Sequence, residues 1–171
     1  GVAAALALLR NGYSVILTET TDWLGGQLTS QGVPPDEHQW IETHGAPQSY
    51  RELRNRIRDY YRTFYPLTEK EKNNPLLNPG SGAVSRLCHE PIVAETVIRQ
   101  MLTPYLSNAR LKLMMQHSAV SATVMGARVQ AITVRDERSG RVNTLKAPFF
   151  VDATELGDIL PLTGTAFISG A

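Results

Sequence analysis

The sequence predicts an α/β fold: a three-layer domain built on a parallel sheet, carrying an inserted β-meander. Three observations support this. The first nineteen residues read as helix, tight turn and buried strand, the second half of a β–α–β unit. A glycine-rich segment, residues 23–32, follows that strand directly. Later, three short β-like segments are separated by turn residues, Gly126 and then Ser139-Gly140, which is the pattern of a meander.

Residues 2–10 are alanines and leucines with no β-branched residue after Val2, so they predict a helix, and Asn11-Gly12 predicts its end. Residues 13–18 predict a strand. Its continuous apolar run, Val15-Ile16-Leu17, predicts burial on both faces. Residues 33–46 hold Pro34-Pro35, the acids Asp36, Glu37 and Glu42, and the histidines His38 and His44, and read as an irregular functional loop. Residues 48–65 predict a helix, because Tyr50, Leu53, Ile57, Tyr60, Tyr61 and Phe64 recur at helical spacing. Its arginines (Arg51, Arg54, Arg56, Arg58 and Arg62) are interleaved with Glu52 and Asp59, which predicts a solvated face rather than a nucleic-acid surface. Pro66 ends that helix, and residues 70–85 read as a long polar loop. A second helix is predicted over 91–106, with Val93, Val97, Ile98, Met101 and Leu102 on its buried face. Strands follow at 111–115 and, as the meander, at 119–124, 128–135 and 142–147. Residues 149–153 read as another buried strand, 154–157 as a sharp turn, and 158–162 as a short helix.

Composition narrows the function. Of the 171 residues 42% are hydrophobic and 19% charged, as in an ordinary globular protein, and the net charge of +1 provides no field directed at nucleic acid or an anionic membrane. The longest apolar run, residues 2–9, is too short to span a bilayer. The expected partner is therefore a small molecule. A single cysteine, Cys88, excludes an intramolecular disulfide and fits a reducing compartment, so a cytoplasmic location and a buried inert thiol are expected. The histidines and Cys88 show no metal-ligand spacing, and there is no G-x-S-x-G nucleophile elbow. His38 and His44 are candidates for proton transfer; no catalytic residue can be assigned.

Three stretches point to a bound nucleotide. Glu19 stands at a strand end about twenty residues after Gly1, where an acid accepts hydrogen bonds from a ribose. That spacing makes Gly1 the third glycine of a G-x-G-x-x-G fingerprint whose first strand would precede it. Gly25-Gly26 allows backbone N–H groups to approach a ligand, with a plain turn as the alternative. The segment Asp152-Ala153-Thr154-Glu155-Leu156-Gly157-Asp158 can lie over a cofactor where parallel strands end, with a capped strand-to-helix turn as the alternative.

Gly1-Val-Ala-Ala-Ala-Leu, Leu17-Thr-Glu19, Trp23-Leu-Gly-Gly-Gln-Leu-Thr-Ser and Val151-Asp-Ala-Thr-Glu-Leu-Gly-Asp together resemble the FAD-dependent oxidoreductases of the glutathione-reductase-like superfamily. The nearest likeness is to the bacterial FAD-dependent oxidoreductase family with the W-x-G-G-Q-x-T segment and the D-A-T-x-x-G-D turn. The resemblance implies a Rossmann-like three-layer FAD-binding domain over residues 1–171, with 33–90 as an inserted loop and helix region and both ends incomplete. It implies that Gly1 packs the first helix near the pyrophosphate and that Glu19 binds the adenosine ribose. It implies that Gly25, Gly26, Gln27 and Thr29 line the pyrophosphate and flavin side, and that Val120 meets adenine through its backbone. Asp152, Ala153 and Thr154, with Gly157 and Asp158, would close over the cofactor. The implied activity is flavin-mediated hydride or electron transfer from a small organic substrate. The other expectations are a non-catalytic remnant that retains no cofactor, or an NAD(P)-binding domain. For the 171-residue chain alone, weak FAD binding is expected.

Overall fold

The structure is a computed structural model and describes residues 1–170. It divides into two compact units. The first comprises Gly1–Asp22 and the chain from Asn108 onward, and the second is Trp23–Ser107. The 33–90 region falls inside the second unit, which extends beyond it at both ends.

In the first unit, helix α1 spans Val2–Arg10 and buries Ala5, Leu6 and Leu9, one helical face. It lies against strand β1, Val15–Glu19, which pairs in parallel with β2, Leu111–Met115, in unbroken register from Val15↔Leu111 to Glu19↔Met115. Burial along β1 alternates: Val15, Leu17 and Glu19 are half-buried, Ile16 and Thr18 exposed. The expectation of burial on both faces is thus corrected. Among the described residues the sheet has two strands, and α1 covers the face that carries Leu17.

The meander is present as β3 (His117–Met125), β4 (Arg128–Asp136) and β5 (Val142–Leu145), antiparallel in that order. Gly126-Ala127 closes the first hairpin between Met125 and Arg128, with Gly126 at a φ of +59°. The β3–β4 ladder is interrupted twice. Ala119 faces Val134 and Ser121 faces Thr133, so Val120 is an extra residue in β3; Thr123 faces Ala131 and Val124 faces Val129, so Gln130 is an extra residue in β4. Met114, Ile132 and Val134 form the core here, and Ala119, Ala122, Val129, Leu145, Phe150 and Ile159 pack on it.

Residues 149–153 form no strand, which corrects the sequence expectation. No strand among the described residues pairs with them, and only Phe150 reaches the meander core, leaving Phe149 84% exposed. The short helix α6, Ile159–Thr163, follows, within one or two residues of the span expected.

The second unit is helical: α2 (Gln27–Ser30), α3 (Gln48–Phe64), α4 (Glu69–Lys72) and α5 (Pro91–Ser107). Leu53, Ile57 and Tyr61 of α3 and Val93, Val97, Ile98 and Leu102 of α5 supply its core, with Leu24, Ile41, Leu77 and Leu87 from the connections. Each such fully buried aliphatic side chain contributes about 1.5–3 kcal/mol. The polar stretch 70–85 is more ordered than its composition suggests. Thr68 caps α4 through the Glu71 N–H, and the Asn78 side chain accepts from Cys88 N at 2.6 Å while donating to Gly82 O at 3.0 Å. Cys88 is buried. No helix among the described residues is long and apolar enough to cross a membrane.

Candidate cofactor site

The first unit holds Gly1, Glu19, Val120 and the 152–158 turn. A Cβ on Gly1 would sit 3.4 Å from Leu17 Cδ1, so the start of α1 rests closely on β1. The Glu19 carboxylate is oriented by its own strand end. Its Oε1 accepts from the N–H and the hydroxyl of Thr21, both at 2.9 Å, and from the Thr20 hydroxyl at 3.4 Å. All three bonds fall on one oxygen, and Oε2 takes none of them. A carboxylate fixed through one oxygen presents the other as an acceptor of defined direction.

Val120 occupies the β3 bulge. As the extra residue it has no partner directly opposite it in the ladder. Nothing in the side-chain pattern of 117–125 reveals this bulge.

The 152–158 turn is organised around Asp152. Its Oδ1 accepts from the Thr154 N–H at 3.0 Å and hydroxyl at 2.7 Å, and its Oδ2 from the Ile159 N–H at 2.9 Å. The Thr154 hydroxyl in turn accepts from Asp158 N at 2.7 Å. Burial works to raise the Asp152 pKa, but these hydrogen bonds outweigh it and the carboxyl lies below its ordinary value. Asp152 therefore fastens the start of α6, while Asp158, at the N-cap position, makes no side-chain cap bond. Gly157 has a φ of +73°, and a Cβ there would fall 2.9 Å from Leu160 Cδ1. Ala153 is exposed beside this turn.

The second unit holds Gly25, Gly26, Gln27 and Thr29. The two glycines have different physical reasons. Gly25, at a φ of +114°, is enclosed: a Cβ would lie 2.7 Å from Thr29 Cγ2 and 2.8 Å from Ile98 Cδ1. Gly26, at a φ of +54° and a ψ of −128°, is open, with nothing within 4 Å of an added Cβ. The N–H groups of both glycines have no acceptor among the described residues. Thr29 is 2% exposed and directs its hydroxyl to Leu24 O at 2.6 Å, so it braces the loop from behind. Gln27 is exposed on the first turn of α2.

One polar centre was not anticipated. Arg54 and Arg58 of α3, expected on a solvated face, are 3% and 2% exposed. Arg54 pairs with both Glu37 and Glu42, and Arg58 pairs with Glu42 while its Nε donates to Leu77 O at 2.9 Å. Tyr50 donates to Glu37 at 2.6 Å. The sequence did carry a signal: Arg54 and Arg58 are four apart and in phase with the apolar positions Leu53, Ile57 and Tyr61, while the 33–46 loop supplies the acids. His38 and His44 flank Trp40, whose ring stacks on His44 at 5.9 Å, and all three residues are exposed. No group of three or more His, Cys, Asp or Glu among the described residues is placed to hold a metal ion.

Each unit by itself offers a group that fits one part of an FAD molecule. A ribose needs an acceptor at a strand end, which Glu19 Oε2 provides. A pyrophosphate needs N–H donors without a Cβ in the way, which Gly26 provides. The family model described as FAD dependent oxidoreductase matches residues 1–171. No curated protein matches the chain.

Proposed function

The chain belongs to the FAD dependent oxidoreductase family, and from that premise we propose that Glu19, Val120, Gly25 and Gly26 hold FAD for the oxidation of a small organic substrate. Glu19 Oε2 accepts the hydroxyls of the adenosine ribose, and the Val120 backbone faces adenine. The N–H groups of Gly25 and Gly26 donate to the pyrophosphate oxygens, with Gln27 beside them and Thr29 bracing the loop. Within the first unit, the start of α1 at Gly1 offers positive dipole potential to a phosphate. The 152–158 turn, tied together by Asp152 and Thr154, supplies a rigid cover with Ala153, Gly157 and Asp158 on it. FAD, when bound, would supply the hydride or electron-pair chemistry between the donor and a second acceptor.

The observation that carries this reading is the Glu19 carboxylate, held through Oε1 with Oε2 left to accept. The test is the flavin content of the protein expressed from its complete gene. It is expected to purify yellow and to release FAD rather than FMN on denaturation. Glu19→Ala should reduce flavin content several-fold with its melting temperature little changed, because the bonds lost are local to an exposed strand end. A colourless protein that binds NAD(P) would overturn the reading.

A further inference from the structure

The second unit contains a cleft of about 540 Å³ walled by the 37–42 and 76–86 stretches. That is the size of a small-molecule site. Its floor is the buried ion cluster, in which Glu37 and Glu42 are each paired with an arginine, so two negative charges meet the two positive charges of Arg54 and Arg58. The floor is neutral, and its acceptors are already occupied.

Arg86 lines the same cleft and is different. It is exposed and makes no ion pair or hydrogen bond among the described residues. The backbone N–H groups of 82–86 likewise have no acceptor among those residues. The cleft thus has one uncompensated positive charge and backbone N–H groups without a partner among the described residues. Its wall also contains two apolar side chains turned to water, Leu76 at 55% and Val84 at 76% exposure.

We propose that this cleft binds a small monocarboxylate with an apolar body, its carboxylate on the Arg86 guanidinium and its body against Leu76 and Val84. A guanidinium matches a carboxylate with two parallel N–H donors. A single positive charge balances a single negative one, which favours a monocarboxylate over a doubly charged phosphate. The site is formed entirely within the second unit, so the proposal goes beyond the flavin reading and does not depend on it.

The test is a titration of the 171-residue chain followed by two-dimensional ¹H–¹⁵N NMR, with benzoate as probe. Benzamide serves as its neutral counterpart, and inorganic phosphate as a second anion. Benzoate should produce saturable shifts at the amides of 82–86 and at the Arg86 Nε–H. Arg86→Gln should weaken binding at least tenfold, with an unchanged melting temperature, since the side chain has no partner to lose. Val84→Glu, at an exposed position, should abolish binding by setting a like charge against the carboxylate. Arg86→Lys should retain part of the affinity. The proposal fails if benzoate causes no saturable shift, if Arg86→Gln binds as tightly, or if benzamide or phosphate binds as well as benzoate.

Discussion

Arg58 grips Glu42 with two nitrogens: Nη2 reaches Oε1 at 2.6 Å and Nη1 reaches Oε2 at 3.1 Å. The pair joins the middle of α3 to the 33–46 loop, and Arg54 adds a second bond to the same Oε1. Removing one member of a buried pair leaves the other charge uncompensated, at about 3–5 kcal/mol. Arg58→Met is therefore expected to lower stability by about 3 kcal/mol, at the low end of that range because Arg54 still pairs with Glu42 and Glu42 keeps some contact with water. Adding Glu42→Gln should recover part of the loss. Urea unfolding of the two single variants and the double variant measures both effects, and strictly additive losses would contradict the coupling.

The same pair predicts an acid limit. Burial acts to raise the Glu42 pKa, but the hydrogen bonds and charges of Arg58 and Arg54 outweigh it, leaving the carboxyl below its ordinary 4.5. A group whose pKa is lower in the folded state gives its full stabilisation above the unfolded value and loses it as pH falls through the folded one. The Glu42 contribution to the urea midpoint should hold from neutral pH to about 4.5 and decline below it. Glu42→Gln should flatten the part of this decline that Glu42 causes; equal slopes in the two proteins would reject the assignment.

Gly25 and Gly26 should respond differently to alanine. At Gly25 the new methyl meets Thr29 and Ile98, so strain adds to an unfavourable φ, for a loss of about 2–4 kcal/mol. At Gly26 only the backbone conformation resists, for about 1–2 kcal/mol. Thermal unfolding should rank Gly25→Ala below Gly26→Ala. Valine at either position should sharply reduce FAD retention, at Gly26 by standing where the ligand approaches.

Asp152 holds the first turn of α6 by accepting the Ile159 N–H. Asp152→Ala should destabilise the protein by about 1–2 kcal/mol, the usual effect of losing such a side-chain cap. Hydrogen exchange should quicken at the amides of Leu160 and Gly164 while the meander stays protected. An unaltered α6 would show that the packing of Ile159 is sufficient to hold it.

Much of this architecture was legible in the sequence where a period repeats over many residues. α3 and α5 appear within a residue or two of the spans their apolar spacing predicts, and the meander follows its glycine turns. The misreadings share a cause. The run 149–153 is apolar enough for a strand, but composition does not say whether a neighbour exists to complete the ladder. Charge alone assigns the arginines of α3 to solvent, whereas their phase on the helix decides burial. At the candidate site, Glu19 could be read from its place at a strand end. The Val120 bulge could not, because it is a property of two strands in register, and one strand's residues do not encode it. The turn at 152–158 allowed either a ligand cover or a capped helix start. The structure shows the capping bonds: Asp152 accepts the Ile159 N–H and Thr154 accepts the Asp158 N–H.

The two extra residues in the β3–β4 hairpin, one on each arm, cancel. The register that begins at His117↔Asp136 is regained at Met125↔Arg128, so the two-residue loop still closes correctly. Loss of one codon, Val120 or Gln130, would leave the arms unequal and force the turn to re-form around a different closing pair. Loss of both would restore a plain hairpin with the same ends. Length changes in this segment should therefore be inherited in pairs, and a gene carrying only one of them would encode a hairpin that no longer meets its own turn.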